Sequence, residues 1–386
     1  MDEVESKPHR RFFHVVLVVS DILGRIAPLA ISPALAAIAA ISAWPWRHPA
    51  LQVAIGLLTL LAISGDGVSL ALLPRRGRSY GPATPPLLAL ALLRAALIFL
   101  LGVLWPTWAA LVLAVCLQLA LTAAHFYATW IEPFRLRVVR LDVPGPDGDA
   151  PLRILHISDI HFEGWTPRER RLLEVVQELS PDLIFLTGDY LNLSSVRDPA
   201  AHAGVRDLLA SLSVVAPTYA ITGSPPVDLR SVVPAIFAGL PITWLVDRIV
   251  EVEAQGRRFR LVGLRCTRER EADWARLRRL LPDGASNGFT VLLYHSPDLF
   301  LEAASLRIDL YLAGHTHGGQ IRLPFFGALI TSSDFWKRYE GGVYRRGATT
   351  MVVSRGLGME GLGAPRARFL CPPEIVLLTI SPCSIR

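Results

Sequence analysis

The sequence predicts an α/β layered sandwich with a mixed sheet and flanking helices, preceded by an all-α transmembrane region. Three observations carry this expectation. Residues 12–131 fall into long apolar segments separated by short turns. From residue 152 onward, short apolar runs alternate with helical stretches and close on a group of strands. Four of those apolar runs end in Asp or His, which gives the second half a chemistry that the first half lacks.

Charge separates the halves as clearly as hydropathy does. Residues 1–140 hold 12 Lys+Arg against 6 Asp+Glu, whereas residues 141–386 hold 27 of each. The surplus of positive charge therefore flanks apolar segments, which is the pattern of a membrane protein, and no nucleic-acid partner is expected. The cysteines Cys116, Cys266, Cys371 and Cys383 are scattered without a CxxC pair and read as free thiols.

Residues 1–11 form a charged start with Lys7, Arg10 and Arg11, expected in the cytoplasm. Residues 12–44 are apolar apart from Asp21 and Arg25, which a helix would place on one face, and are interrupted by Pro28 and Pro33. That stretch is long for one span and short for two. Residues 50–73 (with Asp66), 85–105 (with Arg94) and 108–131 complete four expected transmembrane helices. Arg75, Arg76 and Arg78 follow the second helix, and Arg135, Arg137 and Arg140 follow the fourth. The positive-inside rule then places both the N-terminus and everything after residue 132 in the cytoplasm, as for a bacterial-type inner-membrane protein. Residues 132–150, rich in Pro, Gly and Asp over 141–150, are expected to be a linker.

The domain over 151–381 is predicted to run strand 152–157, helix 167–180, strand 182–187, helix 201–213, strand 216–221 and helix 229–239. Strand-like runs at 242–246, 248–254 and 258–264 precede a helix at 269–281, a strand at 289–294, a helix at 298–305 and a strand at 308–313. Short strands near 343–345, 349–354 and 374–380 finish it.

Candidate metal-seeking residues lie at the ends of four of these strands. They are Asp159 and His161, Asp189, His295, and the pair His315 and His317 within Gly314-His315-Thr316-His317-Gly318-Gly319-Gln320. Two histidines at i and i+2 among glycines can aim both imidazoles into one pocket. Carboxylate and imidazole clusters suit Mn²⁺, Fe²⁺ or Zn²⁺, and the absence of cysteine argues against softer metals. Asp189, alone on its strand between the other clusters, is the candidate bridge between two ions that together clamp a phosphoryl group.

In this order the motifs Asp-x-His, Gly-Asp, a lone His and Gly-His-x-His, over about residues 152–323, closely resemble the calcineurin-like metallophosphoesterases. The Gly-His-Thr-His-Gly-Gly-Gln run, together with Val353 to Gly358 and Arg368-Phe369 before Pro372-Pro373-Glu374-Ile375, resembles a membrane-associated branch of that superfamily. The resemblance implies a calcineurin-like sandwich and metal-dependent hydrolysis of a phosphodiester or pyrophosphate. It implies one metal held by Asp159, His161, Asp189 and His317, and a second by Asp189, His295, His315 and an Asn from a Gly-Asn-His-Asp/Glu loop. The sequence departs at that loop, which reads Gly223-Ser224-Pro225-Pro226-Val227-Asp228. Ser224 stands where the resemblance places the Asn ligand, and Pro225 where it places a His that assists the leaving group. Asp228 folding back to replace the Asn is one expectation; a weakened second metal is the other. Some members of the branch cleave UDP-diacylglucosamine, so a lipid-linked substrate in contact with membrane lipids is expected, with a degenerate, binding-only module as the alternative. The catalytic acid is not assigned.

Overall fold

The computed structural model describes Val15 and residues 18–285, 288–360 and 366–382. The charged start at residues 1–11 lies outside the described residues. The chain divides into two compact units, 1–131 with 360–367, and 132–359 with 368–386.

In the first unit, Val18–Gly24 and Pro28–Ala43 are helical but bent by 106° against each other. Pro28 and Pro33 explain the break, since neither can donate a backbone hydrogen bond. Helices α1 (Ser32–Ala43), α2 (Pro49–Arg75), α3 (Thr84–Leu104) and α4 (Trp108–Phe126) follow. Among the described residues, three helices are long and apolar enough to cross a membrane, Pro49–Arg75, Thr84–Leu104 and Trp108–Phe134, or four if the bent pair is one span. Asp66 and Arg94 form a buried ion pair, with Arg94 Nε and Nη2 reaching the two carboxylate oxygens at 2.6 and 2.8 Å. Arg94 also donates to the Gln118 side chain at 2.7 Å and to Thr122 at 3.0 Å, so α2, α3 and α4 meet at one satisfied polar node. An apolar surrounding demands that closure, because an unpaired charge there would be expensive.

The second unit is built on two six-stranded sheets. The first has the order β1 (Arg137–Gly145), β14 (Glu374–Pro382), β2 (Leu152–Ile157), β3 (Leu183–Leu186), β4 (Thr218–Ala220), β5 (Ile242–Trp244). The second has the order β12 (Gly342–Arg346), β13 (Thr349–Val353), β9 (Leu310–Ala313), β8 (Thr290–Leu293), β7 (Arg257–Gly263), β6 (Arg248–Ala254). Both sheets are mixed: β2 to β5 and β7 to β9 run parallel, while β14 pairs antiparallel with β2 and β6 with β7.

Alternation along the strands builds the layers. Ile154, Phe185, Leu293 and Leu312 face a shared core between the sheets. Leu155, Ile157, Ile184 and Leu186 point the other way, against α5 (Pro167–Leu179) and α6 (Pro199–Val215). On the outer face of the second sheet, Leu292, Tyr311 and Met351 pack with Leu277 of α8 (Arg270–Leu280) and Ala303 of α9 (Phe300–Ser305). The order is helix, sheet, sheet, helix, an α/β layered sandwich with mixed sheets, as expected.

Two elements differ from expectation. The linker expected over 132–150 contains strand β1, paired in parallel with β14 from Arg137↔Glu374 to Gly145↔Pro382. Val139, Leu141 and Val143 face the inter-sheet core, and an edge position tolerates Pro144 and Gly145. The helix expected over 229–239 is confined to α7 (Val233–Phe237), with Pro234 in its first turn and Gly239 at φ +73° just beyond it.

Candidate metal centre

Parallel strands deliver all the candidate residues to one end of the sandwich. Asp159 and His161 follow β2, Asp189 follows β3, His295 follows β8, and His315 and His317 follow β9. The loops are tied to each other by their backbones: Asp159 N donates to Gly188 O at 3.0 Å, His161 N to Asp189 O at 2.9 Å and Gly314 N to His295 O at 2.8 Å. Five of the six residues, all but His295, hold left-handed backbone angles, from φ +43° at His161 to +71° at His315. Non-glycine residues rarely adopt this conformation, and its concentration here marks strain held at a site. Gly314 permits the tightest approach in these loops, because a Cβ there would lie 1.9 Å from Ser158 Oγ and 2.1 Å from Asp159 Oδ2.

The six residues form two buried groups with Asp189 in both, Asp159–His161–Asp189–His317 and Asp189–His295–His315, and within each the ligand atoms lie within 4.8 Å of one another. His161 Nε2 stands 3.0 Å from His317 Nε2 and 3.6 Å from Asp189 Oδ2, and His317 Nε2 is 3.4 Å from Asp159 Oδ1. In the other group, His295 Nε2 lies 3.2 Å from Asp189 Oδ2.

The donor set fits divalent metal ions. His161 Nδ1 donates to Leu191 O at 3.2 Å and His295 Nδ1 donates to Thr187 O at 2.7 Å, which leaves each Nε2 facing inward. The Nε2 atoms of His161 and His317 face each other while His317 Nδ1, although buried, has no hydrogen-bond partner among the described residues. A cation between facing lone pairs and carboxylates relieves their mutual repulsion. The electrostatics agree. Burial, reinforced by Arg268 beside His315 and by His161 beside His317, holds both imidazoles well below their ordinary range, so their lone pairs are available. Burial alone would also lower His295, but the charge and hydrogen bond of Asp189 raise it to about 9. Asp189 is in turn held well below the carboxylate range, because the imidazoles around it, His295 foremost, outweigh its burial.

The altered loop resolves differently from one expectation. Asp228 does not fold into the second group. Its carboxylate accepts three backbone N–H bonds, from Asp189 at 2.9 Å, Tyr190 at 3.0 Å and Gly223 at 2.7 Å. Ser224 is the residue that faces the group: its Oγ lies 3.3 Å from both His295 Nε2 and His315 Nδ1, and its backbone N donates to Asp189 Oδ1 at 2.5 Å. Pro225 and Pro226 lie exposed beside it and offer no side-chain donor.

The sequence reading gave no role to Arg368, which is fully buried. Its guanidinium donates to the carbonyls of Arg355 (2.9 Å), Gly356 (3.1 Å), Gly358 (3.0 Å) and Cys371 (3.2 Å). Those bonds fix the 355–358 turn, whose Leu357 and Gly358 N–H groups bond Ser158 O and Asp159 O at 3.0 and 2.7 Å. The Arg368-Phe369 pair before Pro372-Pro373 was the available signal; the acceptors of Arg368 are all backbone and leave no trace in sequence.

A helix–sheet–sheet–helix sandwich with two Asp/His groups sharing one carboxylate at its strand ends is the architecture of a metallophosphoesterase. Comparison with known proteins agrees. The family described as calcineurin-like phosphoesterase matches residues 152–224. The uncharacterized metallophosphoesterase YkuE of Bacillus subtilis is 30% identical over 273 residues, spanning 68% of this chain and 92% of that one. The phosphodiesterase YaeI of Escherichia coli is also 30% identical, over 65% of this chain and 88% of that one. The UDP-2,3-diacylglucosamine pyrophosphatase LpxG of Chlamydia trachomatis is 26% identical, over 65% and 91%. The chain belongs to the calcineurin-like phosphoesterase family, whose members work with a dinuclear divalent metal site.

Proposed function

We propose that this protein is a membrane-anchored hydrolase of a phosphodiester or pyrophosphate, with a lipid-linked substrate and its hydrolase domain facing the cytoplasm. The observation that carries the reading is the pair of buried groups that share Asp189, in a chain that also holds three long apolar helices. Asp159, His161, Asp189 and His317 would hold one ion, and Asp189, His295 and His315 the second, with Ser224 Oγ facing the latter. Mn²⁺, Fe²⁺ and Zn²⁺ suit this donor set. Bound metals would supply Lewis acidity toward a phosphoryl group. The chain's own part is to turn the Nε2 atoms of His161 and His295 inward through the Leu191 and Thr187 carbonyls and to seat Asp189 through Ser224 N and Asp228. The lipid-linked substrate is supported by the likeness to a UDP-2,3-diacylglucosamine pyrophosphatase and by the apolar helices. Orientation is supported by the Arg clusters at 75–78 and 135–140.

The Ser224-Pro225 loop favours one second reading, a metal-loaded domain that binds a phosphoester without cleaving it. Metal content and turnover of the purified full chain on bis-p-nitrophenyl phosphate and UDP-diacylglucosamine, with Asp189→Asn alongside, decide between them. Hydrolysis that disappears together with bound metal in Asp189→Asn supports the enzyme. Full metal content with no hydrolysis under saturating Mn²⁺ supports the binding module, and full metal content in Asp189→Asn overturns the shared-ligand assignment.

A further inference from the structure

We propose that the hairpin following the metal loop, β10 (Arg322–Leu323) and β11 (Gly327–Ala328) with the chain up to Trp336, is a surface that dips into an anionic lipid bilayer. The proposal deepens the membrane reading above and rests on it. Phe325 at the hairpin tip is fully exposed, and Leu323, Phe326, Leu329, Ile330 and Trp336 are each exposed by 41% or more. Six large apolar side chains on one short segment form an exposed patch of the kind that marks an interaction site.

The base of this segment is polar and fixed. Arg322 donates to Gly318 O at 3.0 Å and to Glu340 Oε1 at 2.7 Å, and Ala328 N donates to Glu340 Oε2 at 3.2 Å. At the far end, Ser333 Oγ and Asp334 N donate to Asp298 Oδ1 at 2.5 and 3.1 Å. Asp298 sits three residues beyond His295, and Gly318 follows His317, so the apolar tip is rooted directly in the metal loops. Firm anchoring at both ends with an apolar tip distinguishes the segment from a surface loop that happens to carry a phenylalanine.

The chemistry at its rim selects the occupant. Lys337, one of only two lysines in the chain, places Nζ 3.6 Å from the Phe326 ring centroid and 5.8 Å from that of Trp336. Arg338 beside it is exposed. Aromatic rings flanked by cations are the pattern of the bilayer interface, where rings sit at headgroup depth and cations meet lipid phosphates. A chain that also carries three helices long and apolar enough to span a bilayer has that surface at hand. Docking the tip there would present the metal loops to a phosphate at headgroup level.

The test uses the full chain reconstituted in vesicles of phosphatidylglycerol and phosphatidylethanolamine. In a Cys116→Ser, Cys383→Ser background, Phe325→Cys is labelled with an environment-sensitive nitrobenzoxadiazole dye. A blue-shifted emission that doxyl-labelled lipids quench is expected. Emission that stays at its water value in vesicles overturns the proposal. A blue shift without lipid quenching, accompanied by cross-linking between copies, also overturns it and assigns the surface to a second copy of the chain. Separately, Phe325→Asp with Ile330→Asp should raise KM for vesicle-borne lipid substrate about tenfold or more, the factor for losing burial of one large apolar side chain. Turnover of water-soluble bis-p-nitrophenyl phosphate should not change, and equal losses on both substrates count against the proposal. If neither substrate is cleaved by the wild type, the hydrolase reading falls while the label still decides the bilayer contact.

Discussion

Asp228→Ala should damage both metal groups although Asp228 belongs to neither. Its two oxygens accept three backbone N–H groups, at Asp189, Tyr190 and Gly223, and the side chain is buried. Each buried donor left without a partner costs about 1–3 kcal/mol, so truncation removes roughly 3 kcal/mol or more. Burial first, and then the charge of Asp189, raises the Asp228 carboxyl to about 7, so the wild-type carboxylate is itself costly and the loss falls toward the lower end. For a domain of this size that loss corresponds to a fall in Tm of roughly 6–12 °C. Asp189 would also lose the bond that fixes its left-handed backbone at φ +56°. Asp228→Asn can keep an oxygen toward Asp189 N and Gly223 N while opposing only Tyr190 N, so it should lose about half as much. Thermal unfolding and elemental analysis of the two variants check this. A direct ligand would behave differently, losing one metal with little change in Tm. If Asp228→Ala keeps both metals and melts within about 2 °C of the wild type, the clamp is refuted.

Other outcomes follow from the same geometry. In the chelated protein, His295 is raised from 6.5 to about 9 and Asp228 from 3.8 to about 7. Both bind their protons more tightly when folded, so the stability they contribute is complete below the unfolded values and lost as pH rises through the folded ones. The Tm of chelated protein should therefore fall between about pH 6.5 and 9; a flat or rising profile contradicts the His295–Asp189 pairing. Asp66→Ala strands a buried Arg94 and should cost about 3–5 kcal/mol in detergent unfolding, while Asp66→Leu with Arg94→Met should recover most of it; simple additivity would deny the coupling. Pro225→His should raise turnover on alkyl phosphodiesters more than on pyrophosphates, and an equal gain on both would show that proton donation is not what the loop lacks.

The parts of this protein that were legible in sequence are those written in local pattern. Mostly apolar runs ending in Asp or His marked β2, β3, β8 and β9, because a central strand buried on both faces is largely apolar and its end must leave the core. Strand β1 was hidden because its partner, β14, comes from the other end of the domain, and Pro144, Gly145 and Asp142 read as linker without it. Asp228 and Arg368 were hidden for a related reason. Both act on backbone groups, and a backbone acceptor or donor has the same sequence signature at every residue. The break in the first apolar segment was visible in Pro28 and Pro33, but its 106° angle was not.

The altered loop separates two tasks that one motif could have joined. Seating the shared carboxylate needs only a backbone N–H and a clamp, and Ser224 N and Asp228 provide both. Facing the second group needs a neutral oxygen, and Ser224 Oγ stands 3.3 Å from each imidazole. Giving a proton to a departing oxygen needs a titratable side chain, and the exposed Pro225 and Pro226 have none. The loop is therefore adequate for holding and deficient for proton donation. That deficiency is unequal across substrates. An alkoxide leaving from a simple diester must be protonated, whereas a phosphate leaving from a pyrophosphate already ionises at a pKa of about 6 and departs unaided. Under the hydrolase reading, the loss of a side-chain donor thus narrows the substrate toward pyrophosphates.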